Sequence, residues 1–290
     1  MDLSTLITTV FCLSDDWLKD KKLRKRGPRP KLADSEVLTI EVVGEFLQID
    51  TDRGLYEYFR RHYSDLFPAL GKLHRTTFTR QAANLWSVKE RFWQHLLEKS
   101  RLDPELSLVD SFPVPVCRFA RAYRCRRLPE ESAFGRDEMV KQTFYGLRAH
   151  LRICWPGFIV AADLAPANVH DLHVGEQLLE GVEGWALADG NYRSASLIER
   201  LSQAGLHLLA PPRSSEKEQS PWPRFLVQKR RRIETVIGQL TERYNAKKVW
   251  AMDRWHLVNR WLRKILSHTF AVYLCQQLGL SPLRFSELLD

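Results

Sequence analysis

The chain has 290 residues, 44% of them hydrophobic, which is enough to fill one large domain or two ordinary ones. Its 44 Lys and Arg against 35 Asp and Glu give a net charge of +9, which favours a polyanionic partner such as nucleic acid over a merely basic soluble protein. Five cysteines without a CxxC pair favour a reducing cytoplasm. No apolar run approaches the roughly 18 residues of a membrane span, and the N-terminus lacks a signal-peptide pattern, so we expect neither insertion nor secretion.

The first hundred residues predict a helical region. Apolar periodicity predicts helices over 35–47 and 55–63 and a helix pair over 77–99. Ser87 and Glu90 have the spacing of a capping box, which predicts the start of the second helix of that pair. Two helices that meet at a turn suit a DNA-reading helix-turn-helix and, equally, a plain helical support.

From about residue 102 the pattern changes to strands separated by helices. This order predicts an α/β or mixed sheet whose first three strands pair as an antiparallel meander. A surface loop is expected over 211–224, followed by a helix with one apolar stripe, and a last helix is expected to begin at Ser281-Pro282. The predicted strands are 106–109, 143–154, 158–163, 185–188 and 206–210; the predicted helices are 171–179, capped by Asp171, and 194–204.

Three acidic residues in this region are candidate metal ligands. Asp110 and Asp189 each end an apolar run, at the sheet edge where ligands of α/β proteins usually bind. If their strands are neighbours, the roughly 4.8 Å strand spacing lets both carboxylates reach one pair of metal ions about 3.5 to 4 Å apart. Glu234, on a later helix and after four consecutive basic residues, can close such a site. Oxygen ligands of this kind suit Mg²⁺ or Mn²⁺.

The sequence resembles the DDE transposases of bacterial insertion sequences. The resemblance is carried by VDSFPVPVC at 109–117, YGLRAHL at 145–151, LAPANVHD at 164–171, LADGNYRS at 187–194 and RRRIE at 230–234. It implies a ribonuclease H-like fold, with a mixed sheet flanked by helices and preceded by an all-helical N-terminal domain. It also implies that Asp110, Asp189 and Glu234 are the catalytic metal ligands, of two ions, in an enzyme that cuts and joins DNA strands.

The expected function is therefore metal-dependent cleavage at the ends of an insertion sequence and strand transfer to target DNA. Two alternatives stay open: a nuclease of the same fold without strand joining, and an inactive DNA-binding remnant of a transposase. We expect a DNA-binding or dimerisation region over 1–100, a catalytic domain over 101–268 and a helical tail over 269–290. The expected partner is double-stranded DNA, bound by a homodimer at the bacterial nucleoid, with no membrane involved.

Basic residues predict where the DNA backbone is held, because phosphate contacts supply affinity without reading sequence. In the C-terminal stretch, Trp250, Trp255 and Trp261 alternate with basic residues, a mix that can stack unpaired bases but is more often core. A further basic stretch runs over 19–31. The predicted DNA-binding residues are Lys229, Arg230, Arg231, Arg118, Arg121, Lys247 and Lys248.

Other residues compete for the metal site. Asp163 also ends an apolar strand and could replace one of the two aspartates. His170 and His173 have a spacing that zinc can use, but they lack partnering cysteines, so helix capping and packing are the favoured interpretation. Cys117 and Cys125 are likewise expected to be packed thiols rather than ligands.

Overall fold

A computed structural model describes residues 1–24, 28–211 and 222–289. The chain forms two compact units. The helical unit combines Met1–Ser100, Leu240–Val249 and Asp253–Asp290, and the sheet unit combines Arg101–Gln239 and Trp250–Met252. Two residues of the predicted basic stretch, Lys25 and Arg26, and positions 212–221 of the predicted loop lie outside the described residues.

The helical unit is built around one long helix, α9, which packs on α2, α4 and α5. Helix α2 is buried almost all round, as expected for a helix with apolar residues on every side. The helices predicted over 35–47 and 55–63 are confirmed as α2 and α3. The described helices are α1 (Leu3–Leu18), α2 (Asp34–Phe46), α3 (Asp52–His62), α4 (Arg75–Asn84), α5 (Trp86–Lys99) and α9 (Arg254–Gln277).

Two predicted helix starts in this unit are wrong. Helix α5 begins at Trp86, directly after α4, and no side chain caps it, so Ser87 and Glu90 do not form the predicted capping box. The interruption between α4 and α5 is too short to leave room for a separate cap. Helix α9 ends at Gln277, before Gly279 with its positive φ of 69°, and the chain at Ser281-Pro282 forms turns that lead only to a short 3₁₀ turn, Phe285–Glu287.

The sheet unit is a mixed α/β structure with a six-stranded sheet and packed helices. The order is β2-β3-β1-β5-β6, and β4 also pairs with β3. The meander of three predicted strands is confirmed, since β3 is antiparallel to both β1 and β4, whereas β5 is parallel to β1 and β6. The elements are β1 (Asp103–Pro115), β2 (Ala133–Asp137), β3 (Gln142–Trp155), β4 (Phe158–Pro166), α6 (Asp171–Leu179), β5 (Gly184–Leu187), α7 (Ala195–Gln203), β6 (Leu206–Leu209) and α8 (Arg224–Gly238).

Strand β1 is longer than predicted and does not end at Asp110. Its pairing with β5 stops at Leu108, but its pairing with β3 continues to Pro115. The Val116 amide donates to the Tyr145 carbonyl at 3.1 Å. By the alternation of an antiparallel ladder, Pro113 and Pro115 therefore turn their nitrogens to the side that β5 no longer occupies, where a missing N–H costs nothing.

The two faces of the sheet are covered by different helices. Side chains alternate along β1, so Leu108 and Asp110 share one face while Ser111 lies on the other. Helix α8 packs on β1 with Arg230 towards Asp110, whereas Asp171 of α6 accepts a hydrogen bond from the Ser111 hydroxyl at 3.1 Å. The faces of α6 and α8 are thus opposite, and Asp110 belongs to the α8 face.

The N-cap predicted for α6 is wrong by one residue. The helix begins at Asp171, and the cap is His170, whose Nδ1 accepts from the Leu172 amide at 3.1 Å. Asp171 is instead used for the bond with Ser111 and for an ion pair with Arg148 at 3.5 Å. None of the described helices combines the length and the apolarity that crossing a membrane requires.

Candidate active site

Asp110 and Asp189 are brought together by the parallel pairing of β1 and β5. Leu108 is the partner of Leu187, so the two aspartates follow at matched positions, two residues further along each chain. The Ala188 amide still donates to the Leu209 carbonyl of β6 at 3.0 Å, which holds this end of β5 in the sheet. The condition that their strands be neighbours is therefore met.

The two carboxylates are oriented by hydrogen bonds from their own local backbone. One oxygen of Asp110 accepts from the Ser111 amide at 2.8 Å. Asp189 caps a short 3₁₀ turn, and its Oδ1 accepts from the Asn191 amide at 2.8 Å while its Oδ2 accepts from the Asn191 side chain at 3.2 Å. Each carboxylate thus keeps lone pairs available for a further cation.

Negative charge is crowded at this position. Burial, followed by the charge of Asp189, raises the pKa of Asp110 to about 6, and Glu234 adds a smaller contribution in the same direction. Burial also raises the pKa of Asp189, against the hydrogen bond from Asn191 and the charge of Arg230. Both shifts have the physical causes expected of carboxylates withdrawn from water beside like charges.

Helix α8 contributes Arg230 and Glu234 to this face. The Nη2 of Arg230 lies 3.6 Å from the Oδ2 of Asp110. Glu234, one turn further along, is exposed, while its neighbour Ile233 is fully buried and anchors the helix. Glu234 therefore lies at the border of the apolar stripe of α8, and its charge acts on Asp110.

The donor chemistry of this pair fits a hard divalent cation. Asp110 and Asp189 offer carboxylate oxygens, which Mg²⁺ and Mn²⁺ prefer. Among the described residues, however, no group of three Asp, Glu, His or Cys side chains stands close enough to hold one ion. The structure thus assembles two of the three predicted ligands, with the third exposed on the adjacent helix.

Sequence reasoning missed Tyr192, the residue that packs behind the two acids. It follows Asp189 by three residues, is fully buried, and belongs to the core formed by α6, α7 and the sheet. A Cβ added at Gly175 of α6 would lie 2.4 Å from its ring, so only glycine permits this approach. Burial, together with the charges of Asp171, Asp110 and Asp189, raises its pKa well above the usual value. The only signal in the sequence is the aromatic residue in the segment DGNYR.

The competing residues are placed elsewhere. Asp163 lies on β4, two strands from β1; its partner His150 pairs with Ser111, so it belongs to the face opposite to Asp110. His170 and His173 have ring centroids 6.4 Å apart and line a cavity of about 1040 Å³ beside α7. In the described part of the chain, no third ligand accompanies these two histidines.

The predicted DNA-binding residues differ in exposure. Arg118, Arg121 and Arg231 of the sheet unit are exposed, as is Lys248 of the helical unit, whereas Lys247 is half-buried. Lys229 is also half-buried, and its Nζ lies 3.8 Å from the centroid of the Trp155 ring.

The three tryptophans of the C-terminal stretch have different environments. Trp250 is exposed, with the Arg127 guanidinium 5.4 Å from its ring centroid. Trp255 is also exposed, and its Nε1 donates to the Ala83 carbonyl at 2.8 Å. Trp261 is buried, as expected for a core residue. Trp261 therefore cannot stack on a base, so the three tryptophans do not form one stacking surface.

Comparison with known proteins identifies the family. A cryo-EM structure of a piggyBac transposase synaptic complex with hairpin DNA is similar, with a TM-score of 0.49 and 10% sequence identity over 98% of this chain and 76% of that chain. Curated proteins gave no match. The sequence model described as "Transposase DDE domain" matches residues 101–248, a family of transposase or nuclease enzymes that generally depend on divalent metal ions. Since this match covers half of the chain, the protein belongs to the transposase DDE domain family.

Proposed function

We propose that this protein is the transposase of a bacterial insertion sequence, which cleaves the ends of the element and joins them to target DNA. The observation that carries the proposal is the parallel register of β1 and β5, which sets Asp110 beside Asp189 on the face covered by α8. This arrangement suits the ribonuclease H-like catalytic sheet implied by the sequence motifs. In this proposal Asp110, Asp189 and Glu234 form the catalytic triad.

In the proposed mechanism, Asp110 and Asp189 would hold two ions of Mg²⁺ or Mn²⁺, and Glu234 would complete the ligand set. Bound divalent ions of this kind activate a water or a 3′-hydroxyl and stabilise the leaving oxygen of a phosphate. The protein's own contribution is positioning: the sheet fixes the two aspartates, and α8 presents Arg230 beside Asp110. A guanidinium there is suited to hold the scissile phosphate by charge-assisted hydrogen bonds.

The proposed partner is double-stranded DNA, bound by a homodimer because a transposon has two ends. The exposed arginines at 118, 121 and 231 would hold the backbone in this proposal, together with the basic positions 229, 230, 247 and 248. Residues 1–100 are proposed to contribute to DNA contact and dimerisation, 101–268 to catalysis and 269–290 to a helical tail; the boundary between the last two ranges falls within α9, which belongs to the helical unit. The proposed location is the bacterial cytoplasm, at the nucleoid.

The test uses purified protein, Mg²⁺ and labelled DNA from the element's ends, with a target plasmid that reports joined product. We expect Asp110→Asn, Asp189→Asn and Glu234→Gln each to abolish cleavage and joining while DNA affinity is largely retained, because a neutral amide is a poor ligand for the cation. Asp163→Asn is the matched control, since this aspartate lies on the opposite face of the same sheet. It is expected to leave both reactions intact.

The outcomes separate the proposal from its alternatives. Cleavage with no joined product from a 3′-hydroxyl donor would identify a nuclease without strand transfer. Binding of DNA with no cleavage by the wild-type protein would identify an inactive remnant. Joining by the Glu234→Gln variant at the wild-type rate would remove this residue from the proposed triad.

A further inference from the structure

The segment between β1 and β3 combines positive charge with exposed aromatic rings. No acidic residue occurs between Val116 and Pro129. Within that stretch a short 3₁₀ turn, Phe119–Arg124, packs on β3 and is fixed by the buried Ala122. The arginines of the stretch are Arg118, Arg121, Arg124, Arg126 and Arg127, all exposed except the last, which is half-buried.

Three rings form a continuous ladder beside these arginines. Tyr123 is 86% exposed, and its ring centroid lies 5.2 Å from that of Phe134 on β2, which is 40% exposed. Phe134 is in turn 5.0 Å from Tyr145 on β3, its direct partner in the antiparallel ladder. These spacings are those of interacting aromatic pairs. The contact between the paired strands holds Phe134 against the half-buried Tyr145, and Tyr123 and Phe134 remain exposed to solvent.

The ladder lies on the same face of the sheet as the acids. Asp110 pairs with Leu151 of β3, and Tyr145 is six residues earlier on that strand, an even number that returns the side chain to the same face. At about 3.3 Å per residue, the two positions are roughly 20 Å apart along β3. This is close to the length of six stacked nucleotides of one strand, at about 3.4 Å each.

We propose that Tyr123, Phe134 and Tyr145 form a stacking platform for unpaired bases of the DNA substrate, with the neighbouring arginines holding its backbone. The proposal rests on DNA being the substrate. Every base offers a π-face to an aromatic ring, so such a platform needs no particular sequence. The positive charge selects a polyanion, and paired bases in a duplex have no free face to offer, so the occupant is a segment where base pairing is lost.

The test compares two DNA ligands of equal stem sequence, one closed by a loop of unpaired nucleotides and one fully paired. Affinity is measured by fluorescence anisotropy in EDTA, so that no cleavage takes place. We expect Tyr123→Ala and Phe134→Ala each to weaken binding of the looped ligand about tenfold and to leave the paired duplex unchanged. Tyr123→Trp is expected to retain the wild-type preference, because stacking is kept.

Two control variants separate stacking from charge and from surface apolarity. Met139→Ala removes an apolar side chain that is 94% exposed in the turn after β2, and is expected to change neither affinity. Arg121→Ala is expected to weaken both ligands alike, since phosphate contacts do not distinguish them. A 2-aminopurine base placed in the loop is expected to lose fluorescence on binding the wild-type protein but not the Tyr123→Ala variant.

The platform is overturned if Tyr123→Ala leaves the looped affinity unchanged, if it weakens both ligands equally, or if 2-aminopurine stays bright with the wild-type protein. Tighter binding of an RNA loop than of the DNA loop would overturn the assignment to DNA. Failure of the platform is separable from failure of the proposed function. A protein that cuts and joins DNA but shows no loop preference loses only the platform, whereas one with the loop preference and no cleavage loses only the transposase activity.

Discussion

Two groups of acids among the described residues, one in each unit, are balanced in opposite ways: the buried acids of the helical unit have ample positive charge, and the half-buried pair of the sheet unit has little. In the helical unit, Arg263 donates to Glu45 at 2.5 Å and to Asp52 at 2.8 Å, and Lys264 donates to Glu45 at 2.9 Å. Burial alone would raise the pKa of Asp52, but the charges of Arg263 and Arg260 outweigh it and lower that pKa to about 2. Glu45 and Asp52 thus each accept hydrogen bonds from a buried cation.

In the sheet unit, Asp110 and Asp189 have Arg230 nearby, at 3.6 Å from Asp110, and the pKa of Asp110 is raised rather than lowered. The acids of the helical unit therefore serve the structure, whereas the pair in the sheet unit suits a ligand. A buried acid that already has its cation has no capacity left, whereas two crowded acids favour any cation that reaches them.

The largest effect is expected from Asp52→Asn in the helical unit. The carboxylate of Asp52 lies 2.8 Å from both Arg263 and Arg260, and the change removes its charge. The free energy of unfolding should therefore fall by about 3 to 5 kcal/mol. Urea titration followed by circular dichroism measures it. The matched control on the same helix is Glu57→Gln, which removes an exposed pair with Arg53 and should cost less than about 0.5 kcal/mol. Equal losses in the two variants would mean that the buried group is not a structural network.

The next effect tests whether packing, rather than charge pairing, supports the acids of the sheet unit. Gly175→Ala places a methyl group against the Tyr192 ring, and we expect a loss of about 1 to 3 kcal/mol in the same titration. Gly238→Ala is the control, because an added Cβ there meets nothing within 4 Å. Because alanine is favoured over glycine in a helix, Gly238→Ala should raise the free energy of unfolding by about 0.5 to 1 kcal/mol. If Gly175→Ala leaves the free energy of unfolding unchanged, α6 can move away from Tyr192.

A pH dependence of about 1 kcal/mol is expected from His268 of the helical unit. Burial lowers its pKa to about 3, so the folded protein keeps it neutral while the unfolded chain takes up a proton below about pH 6.5. Stability therefore falls as the pH drops from 6.5 towards 3, by about 1 kcal/mol between pH 6 and pH 5. His268→Phe, which keeps the ring beside Tyr244 and Phe285, should lose that part of the slope. An unchanged slope would assign the effect to other groups.

The smallest effect has the opposite sign and is expected from Asp110→Asn in EDTA. Because it removes one of two crowded carboxylates, we expect the free energy of unfolding to rise by less than about 1 kcal/mol. Asp163→Asn, at an exposed position of β4, should leave it unchanged. A loss as large as that of Asp52→Asn would abolish the distinction between the two groups of acids.

The sequence was sufficient for the parts of the fold that depend on local pattern. The strands around Asp110 and Asp189 follow from apolar runs that end near an acid, whereas the pairing of these two strands was only a condition and is supplied by the structure. The extension of β1 to Pro115 was missed because prolines usually exclude a strand, and the missing partner strand on one side could not be foreseen. Strand β2 was missed because five residues with exposed alternate positions give little periodic signal.

The charge network of the helical unit could not be predicted. Its acids lie before residue 53 and its cations near residue 263, a separation of more than two hundred residues with no shared motif. Local patterns describe one element at a time, whereas a buried ion pair is set by where two distant elements pack. Glu234 is the intermediate case: its helix and border position were predictable, but its distance from Asp110 and Asp189 depends on how α8 lies on the sheet.

The helical unit is assembled from both halves of the polypeptide, with Met1–Ser100 completed by α9 near residue 254 and beyond. During synthesis the ribosome therefore delivers Glu45 and Asp52 long before Arg263 and Lys264 emerge. The sheet unit, contiguous over 101–239, can fold in that interval. Nascent chains interrupted before α9 would carry Glu45 and Asp52 without their cations, on helices that lack the packing partner of the finished unit. We expect cellular proteases to degrade such chains.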